Sequence, residues 1–590
     1  MDQPTRRIRW KLGILAALGV VLVTMIPQLT LWIEQRSETH GAYALTDPDE
    51  LVYSAYLNSI IDGKPRRNDP FLPHLNETAV NHETYFSLQF FPPFAVAFVS
   101  KLFGLKAASA FILITPLFAF ASSLAIFWLL VTVTGDEKTS AVGVLLVLLC
   151  GVLAAANLLT EANYYAVFSF LRRYIPAVPF PLFFVFCVCV WRALGRAGTA
   201  ALYWSLAAGA IIVILIYSYF YLWTTAGALL FILAILWCIF HKELRGNTLK
   251  VAAIIGVIAI VALVPYFRLL SQRAQTIDND QALLLTHAPD LFRFTEILGA
   301  LILAVLAIGS RRKRLELRSP AVLFAAACSI TPFLVLNQQV VSGHSLQPFH
   351  FEQFILSYLV LVSAVIVDSL WWRLLSRRAV LWIALALAIG VSLAAKTTKT
   401  NSTQNRTVDA AIPLFATLEN EIKPDPSRGY LLFDRTVLAA SAPSYTSSLH
   451  LLWTPYSYTY GSVTPQEDNE RLFQYFYYLG VEEKKLPSLL EGHLYRAALF
   501  GLHRVNPTLT QNFVPVTEAE IQERIANYSQ YKQTFSLTQA QRWPLSHVII
   551  KADGHYDLSN LERWYERDAG QQIGTAIVYR VYPKFTRSHP

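Results

Sequence analysis

Long apolar blocks separated by short polar stretches fill the first two thirds of the chain. Read in windows of about 19 residues, they predict membrane spans near 11–33, 107–134, 141–160, 175–194, 201–217, 222–240, 250–270, 293–310, 320–337, 352–371 and 379–396. The first block, Leu12 to Ile33, is nearly uncharged, and about 22 residues at about 1.5 Å each cross roughly 30 Å of hydrocarbon. It is too long for the core of a signal peptide, and no small-residue cleavage site precedes Glu34, so it reads as a retained span. After 396 the pattern changes. The segment 397–590 is polar and rich in Asn, Thr, Ser and Tyr, with strand-like runs Tyr430–Phe433, His547–Lys551 and Thr575–Tyr582 and a helix-like run Glu518–Tyr528. These runs predict a small mixed α/β domain.

The expectation is therefore an α-helical polytopic membrane protein of about eleven spans in residues 1–396, with a first outer loop at 34–106, followed by an extracytoplasmic C-terminal α/β domain at 397–590. Composition agrees, since 54% hydrophobic and 15% charged residues exceed what a soluble domain carries. The net charge of +9 does not point to nucleic acid, because Lys and Arg fall between spans rather than on one face. Apart from the amino terminus, basic clusters occupy every second loop, at Arg192/Arg196, Lys242/Arg245/Lys250, Arg311–Arg318 and Arg373–Arg378. The positive-inside rule puts these loops and the amino terminus in the cytoplasm, and the C-terminal region outside. A multi-pass protein of a bacterial inner membrane is the reading that follows. All five cysteines, Cys150, Cys187, Cys189, Cys238 and Cys328, lie inside apolar segments without zinc or disulfide spacing.

The outer loops collect the carboxylates, amides, histidines and aromatics, so chemistry is expected there. After the first span comes Thr46-Asp47-Pro48-Asp49-Glu50, then Leu51 to Asp62 with helical apolar spacing. Asp47 fits the N-cap, Pro48 the first helical position and Glu50 the capping-box acid. Asp49 has no capping duty of equal strength, which makes it the first candidate for a catalytic base and Asp47 the second. The remaining reading is that both are merely structural. Glu161, Arg172 and Arg173 form a second group in an outer loop, where two arginines break the charge bias and suit a phosphate. Snorkelling, or pairing with Glu161, is the plainer reading. A third group is the run from Asn337 to Glu352, holding Gln338, His344, Gln347, His350 and Glu352 between two spans. So many polar groups beside hydrocarbon are costly unless they line a wet or ligand-filled cavity. Tyr219 belongs to an aromatic cluster able to stack on a sugar, or simply to form an interfacial belt. The loop 271–292 is polar enough to act as a flap.

On these residues the chain resembles the GT-C superfamily of integral-membrane glycosyltransferases, which includes protein O-mannosyltransferases and aminoarabinose and arabinofuranosyl transferases. The resemblance covers roughly residues 10–400: an acidic motif (Asp47, Asp49, Glu50) opening the first outer loop, many spans, and polar outer loops such as Asn337–Glu352. It implies a polyprenyl-phosphate sugar donor, an inverting displacement onto a hydroxyl of a glycan, lipid or protein, and an acidic base at Asp49 or Asp47. Arg172, Arg173, His344 and His350 are then expected at the donor phosphate, and Glu50, Glu161, Tyr219, Gln338, Gln347 and Glu352 around the substrates. Some relatives bind a divalent cation; no second outer-loop acid identifies ligands for one here. The competing readings are a lipid-linked-sugar flippase or transporter, which would place polar groups in broken helices near mid-bilayer, and a non-catalytic partner whose outer domain binds polysaccharide.

Overall fold

The computed structural model describes residues 8–72, 81–155, 168–274, 277–278, 281, 283–422, 429–505 and 513–584. Among them, nine helices are long and apolar enough to cross a membrane, or ten when a bent pair is counted as one span. The protein is thus polytopic and α-helical, the class its hydropathy predicts. The bent pair is the first span, Lys11–Thr24 and Ile26–Gln35, angled by 46°. The break falls just before Pro27, which lacks an N–H and clashes with the preceding turn.

Two spans differ from expectation in length, each for a local reason. The predicted span at 175–194 is a helix only over Phe180–Leu194. Pro176, Pro179 and Pro181 keep the preceding residues out of an α-helix by removing donors and disfavouring helical φ/ψ before each ring. The last span does not stop at 396. Ala379–Ile422 is one helix of 44 residues, about 66 Å long at 1.5 Å per residue, so the change from apolar to polar sequence happens inside a continuous rod. Its C-terminal half carries Asn405 and Asp409 into protein contacts with Leu45, His40 and Ala42.

The C-terminal region is mixed α/β. Tyr430–Phe433 pairs in parallel with Leu545–Lys551, which pairs antiparallel with Ala576–Pro583; Tyr565–Arg567 and Gln571–Ile573 both flank that last strand. Tyr430–Phe433 and Leu545–Lys551 are buried on both faces, whereas Ala576–Pro583 alternates and its flanking strands are largely exposed. Leu431, Phe433, Ile549 and Val578 join the core continuous with the membrane helices, while Tyr430, Leu432, Val548 and Ile550 join a second core with Trp453, Leu472 and Phe476. Burial on both faces suits the apolar runs Tyr430–Phe433 and Val548–Ile550.

Candidate functional site

The segment 40–46 leads from the first span to the acidic motif and has no strand neighbour, so its backbone groups find partners in side chains. The amide of Gln28 bridges Ala42 O (3.1 Å) and Ala44 N (2.7 Å). Asn405 accepts from Leu45 N at 2.9 Å. Asp409, fully buried, accepts from His40 N at 3.0 Å and from Ala42 N at 2.9 Å. The first span and the stalk of the last helix therefore set the path along which the chain enters Asp47.

The helix that follows runs Asp49–Ile61. The start lies one residue later than expected: Pro48, not Asp47, is the N-cap and no side chain caps the helix, while Asp47 Oδ1 accepts from Asp49 N at 2.9 Å in the turn before it. The capping-box acid does not behave as expected. Glu50 reaches back to Thr46 instead of Asp47, accepting from Thr46 N and Thr46 Oγ1, each at 3.0 Å, because Arg173 draws it inward. The helix is also not amphipathic in use, since every residue from Glu50 to Ile60 is buried. The C-terminal region covers its outer side: Tyr460 donates to Val52 O (2.9 Å) and Asn58 to Pro443 O (3.2 Å).

Two consecutive acids meet two consecutive arginines. Glu50 and Arg173 form a bidentate pair, Nε to Oε1 at 2.8 Å and Nη2 to Oε2 at 2.6 Å, with both side chains buried. Arg173 also donates to Ala44 O at 2.6 Å and lies over the rings of Tyr43 and Phe111. Its donors are committed to holding the loop, so the geometry gives Arg173 and Glu50 a structural duty in place of the expected contacts with phosphate and substrate. Asp49 and Arg172 differ. Nη1 of Arg172 stands 2.6 Å from Oδ2 of Asp49, yet the acid's side chain is 52% exposed and the arginine's 2%.

Arg172 is fixed from several sides. Nε donates to Ile175 O at 2.9 Å and Nη2 to the Tyr219 hydroxyl at 3.0 Å. The guanidinium centre lies 4.3 Å from the Phe354 ring centroid and 5.2 Å from that of Tyr53. Asp47 sits beside this pair and is itself buried. Burial, reinforced by the neighbouring charges of Asp49 and Glu50 and opposed by Arg172, pushes its carboxyl up to about 8. Burial thus holds Asp47 well above the ordinary carboxylate range, and Asp49 is the exposed acid.

The Asn337–Glu352 run divides in two. His350 packs between Tyr221 and Phe354 at 5.0 and 5.1 Å between ring centroids, with Nδ1 buried and unpartnered. Gln347 accepts from the Tyr221 hydroxyl at 3.5 Å. These two join the surroundings of Arg172. His344 and Gln338 do not: His344 is exposed and turned onto Ser342 O (2.7 Å), and Gln338 donates to His344 O (2.7 Å). Glu352 accepts from Arg293 (2.9 Å) and the Thr295 hydroxyl (3.0 Å), which ties two spans together away from Asp49. Glu161 lies outside the described residues. Tyr53 and Phe354 are site residues that the sequence reading missed. Tyr53 stands four residues after Asp49, one helical turn on, and that spacing could have flagged it; nothing local marks Phe354. Among the described residues, no three His, Cys, Asp or Glu side chains converge in a way that could hold a metal ion.

Fold and site together define an integral-membrane protein with an exposed carboxylate, backed by a buried arginine and aromatic rings, where helix ends meet an extramembrane domain. No family profile matches the sequence, and no curated protein does. Among solved structures, the chain is similar to ArnT from Cupriavidus metallidurans bound to undecaprenyl phosphate, at 14% identity and a TM-score of 0.37, covering 95% of this chain and 97% of that one. The apo state of the same protein gives 15% identity and a TM-score of 0.38, covering 96% and 98%.

Proposed function

We propose that this chain is a GT-C glycosyltransferase that moves a sugar from a polyprenyl-phosphate carrier onto an acceptor hydroxyl at the outer face of a bacterial inner membrane, with the C-terminal region on that same side. The observation that carries the reading is the Asp49–Arg172 pair, an exposed base held against a buried, pre-oriented cation. In the reaction, Asp49 takes the proton of the acceptor hydroxyl as its oxygen bonds to the anomeric carbon. The bond from that carbon to the phosphate oxygen breaks, and the phosphate leaves with the electron pair. Arg172 is placed to stabilise that charge. Phosphate leaves readily, so no general acid is required, unlike the hydrolysis of a simple glycoside. Inversion follows from direct displacement.

His350, Gln347 and Tyr219 supply further polar and aromatic contacts around Arg172, suited to a sugar or headgroup. Asp47, held above the ordinary carboxylate range by burial, keeps the helix start in place, and Glu50 with Arg173 anchors the loop.

The test is transfer from a panel of polyprenyl-phosphate pentoses and hexoses by the full chain in proteoliposomes, read as release of free polyprenyl phosphate. Asp49→Asn keeps the shape and removes the base. Turnover should fall by roughly 10²–10⁴-fold, the range typical of a general base, while donor binding stays near wild type. Asp49→Asn with full turnover would remove the chemical basis of the proposal. Donor flipping without release of carrier would favour the flippase reading.

A further inference from the structure

The helices that end at Tyr219 begin at a second charged site. Gly198–Ile216 is 19 residues long, about 28 Å at 1.5 Å per residue, and it leads from Arg196 at one end of the bundle to Tyr219 beside Arg172 at the other. Phe220–Phe240 returns to His241 and Lys242. Where these ends meet, Asn247 donates to Arg196 O (2.8 Å) and Ala193 O (3.3 Å), which brings the start of Arg245–Leu270 against the end of Phe180–Leu194.

At this junction the guanidinium of Arg192 lies between two indoles, 4.9 Å from the ring centroid of Trp204 and 5.6 Å from that of Trp128. Arg196 lies over Trp204 as well, at 6.0 Å. Arg192 is half-buried, and its Nε is buried without a hydrogen-bond partner. Nearby Nε2 of His241 is also buried and unpartnered. Among the described residues, Arg192, Arg196, Lys242 and Arg245 have no carboxylate within ion-pair distance; the local acid, Glu243, faces His241 at 3.3 Å. The cations are thus concentrated and uncompensated by protein. Tyr203, next to Trp204 on the same helix, is 74% exposed, so apolar surface adjoins the cations. A ligand here needs a negative head at the helix ends and an apolar body running along them.

We propose that Arg192, held between Trp128 and Trp204 and flanked by Arg196, Lys242 and Arg245, forms a binding site for the phosphate headgroup of an anionic phospholipid in the leaflet opposite Asp49. The indoles fix the planar guanidinium, so its donors are oriented before the lipid arrives. Lys242 and Arg245 are exposed and add attraction at the headgroup level, and the acyl chains run beside Tyr203. The site is separate from the proposed transfer chemistry and does not depend on it.

The experiment is native mass spectrometry of the detergent-purified full chain, titrated with dioleoylphosphatidylglycerol, dioleoylphosphatidylcholine or inorganic phosphate. The wild type should retain phosphatidylglycerol at least roughly tenfold more tightly than phosphatidylcholine, the scale of one charge-assisted hydrogen bond. Arg192→Lys keeps the charge but loses the stacked fork, and should give up most of that preference. Lys242→Gln with Arg245→Gln alters only exposed side chains and should weaken retention without affecting folding. Three outcomes would each overturn the proposal: equal retention of the two lipids, unchanged phosphatidylglycerol binding in both variants, or displacement of phosphatidylglycerol by millimolar phosphate, which would indicate a site for free anions.

Discussion

Oδ2 of Asp49 and Nη1 of Arg172 lie 2.6 Å apart although 123 residues separate them in sequence. The partners are unequal: the arginine is sealed behind Tyr53, Tyr219 and Phe354, while the acid faces outward. A phosphate arriving at this pair competes with Asp49 for Arg172, so donor binding and release of the base are coupled in the proposed reaction.

Arg172→Ala should therefore weaken donor use by about 1.5–3 kcal/mol, the scale of a hydrogen bond to a charged group. Arg172→Lys should restore only part of this, because one ammonium cannot serve Asp49, Tyr219 and a phosphate together. Titration of undecaprenyl phosphate into both variants measures the effect, and unchanged affinity in both would leave Arg172 with a purely structural role.

Arg173 separates from Arg172 in the opposite experiment. Glu50→Gln leaves a buried guanidinium without its counter-charge and should cost about 3–5 kcal/mol of stability. Glu50→Leu combined with Arg173→Met should recover a large part of that loss, since it removes both charges together. Thermal unfolding in detergent decides. A stable Arg173→Ala variant with lost donor affinity would return this residue to the phosphate.

Asp47 makes stability depend on pH in a defined direction. Its carboxyl is raised from 3.8 to about 8 in the folded chain, so between those values the folded state holds a proton that the unfolded state has released. Stability contributed at low pH is then lost as pH rises from about 4 through about 8. Asp47→Asn mimics the protonated form and keeps an acceptor for Asp49 N. It should flatten this slope and leave most activity intact at neutral pH. If Asp47→Asn is inactive while Asp49→Asn still turns over, the base is Asp47.

Asp409 should act on activity from a distance, through the segment 40–46. Asp409→Ala strips acceptors from His40 N and Ala42 N, at about 1–3 kcal/mol for a buried donor left unpaired. Turnover should fall more than donor affinity, because the base moves while Arg172 stays. Asp409→Asn retains one acceptor oxygen and should fall between Ala and wild type. Kinetics that separate kcat from donor KM test this; equal loss in both would mean general unfolding.

Much of the architecture was legible in the residues. Hydropathy is local and additive, so the apolar blocks marked the spans, and the strand-like runs Tyr430–Phe433, His547–Lys551 and Thr575–Tyr582 fall on the strands Tyr430–Phe433, Leu545–Lys551 and Ala576–Pro583. Capping chemistry is equally local, and it singled out Asp47, Asp49 and Glu50 at a helix start. What tertiary structure alone decided is which charge meets which. Arg172 and Arg173 are adjacent and chemically alike, and only the placement of Asp49 and Glu50 against them gives one an exposed partner and the other a sealed one. The same holds for the Asn337–Glu352 run, where the turn around Gln347 sends His350 toward Arg172 and leaves His344 outside. It holds as well for Ala379–Ile422, whose polar half stays helical because Asn405 and Asp409 bond to a segment more than 350 residues away. A pairing energy depends on the distance between elements remote in sequence, and no window along the chain contains that distance.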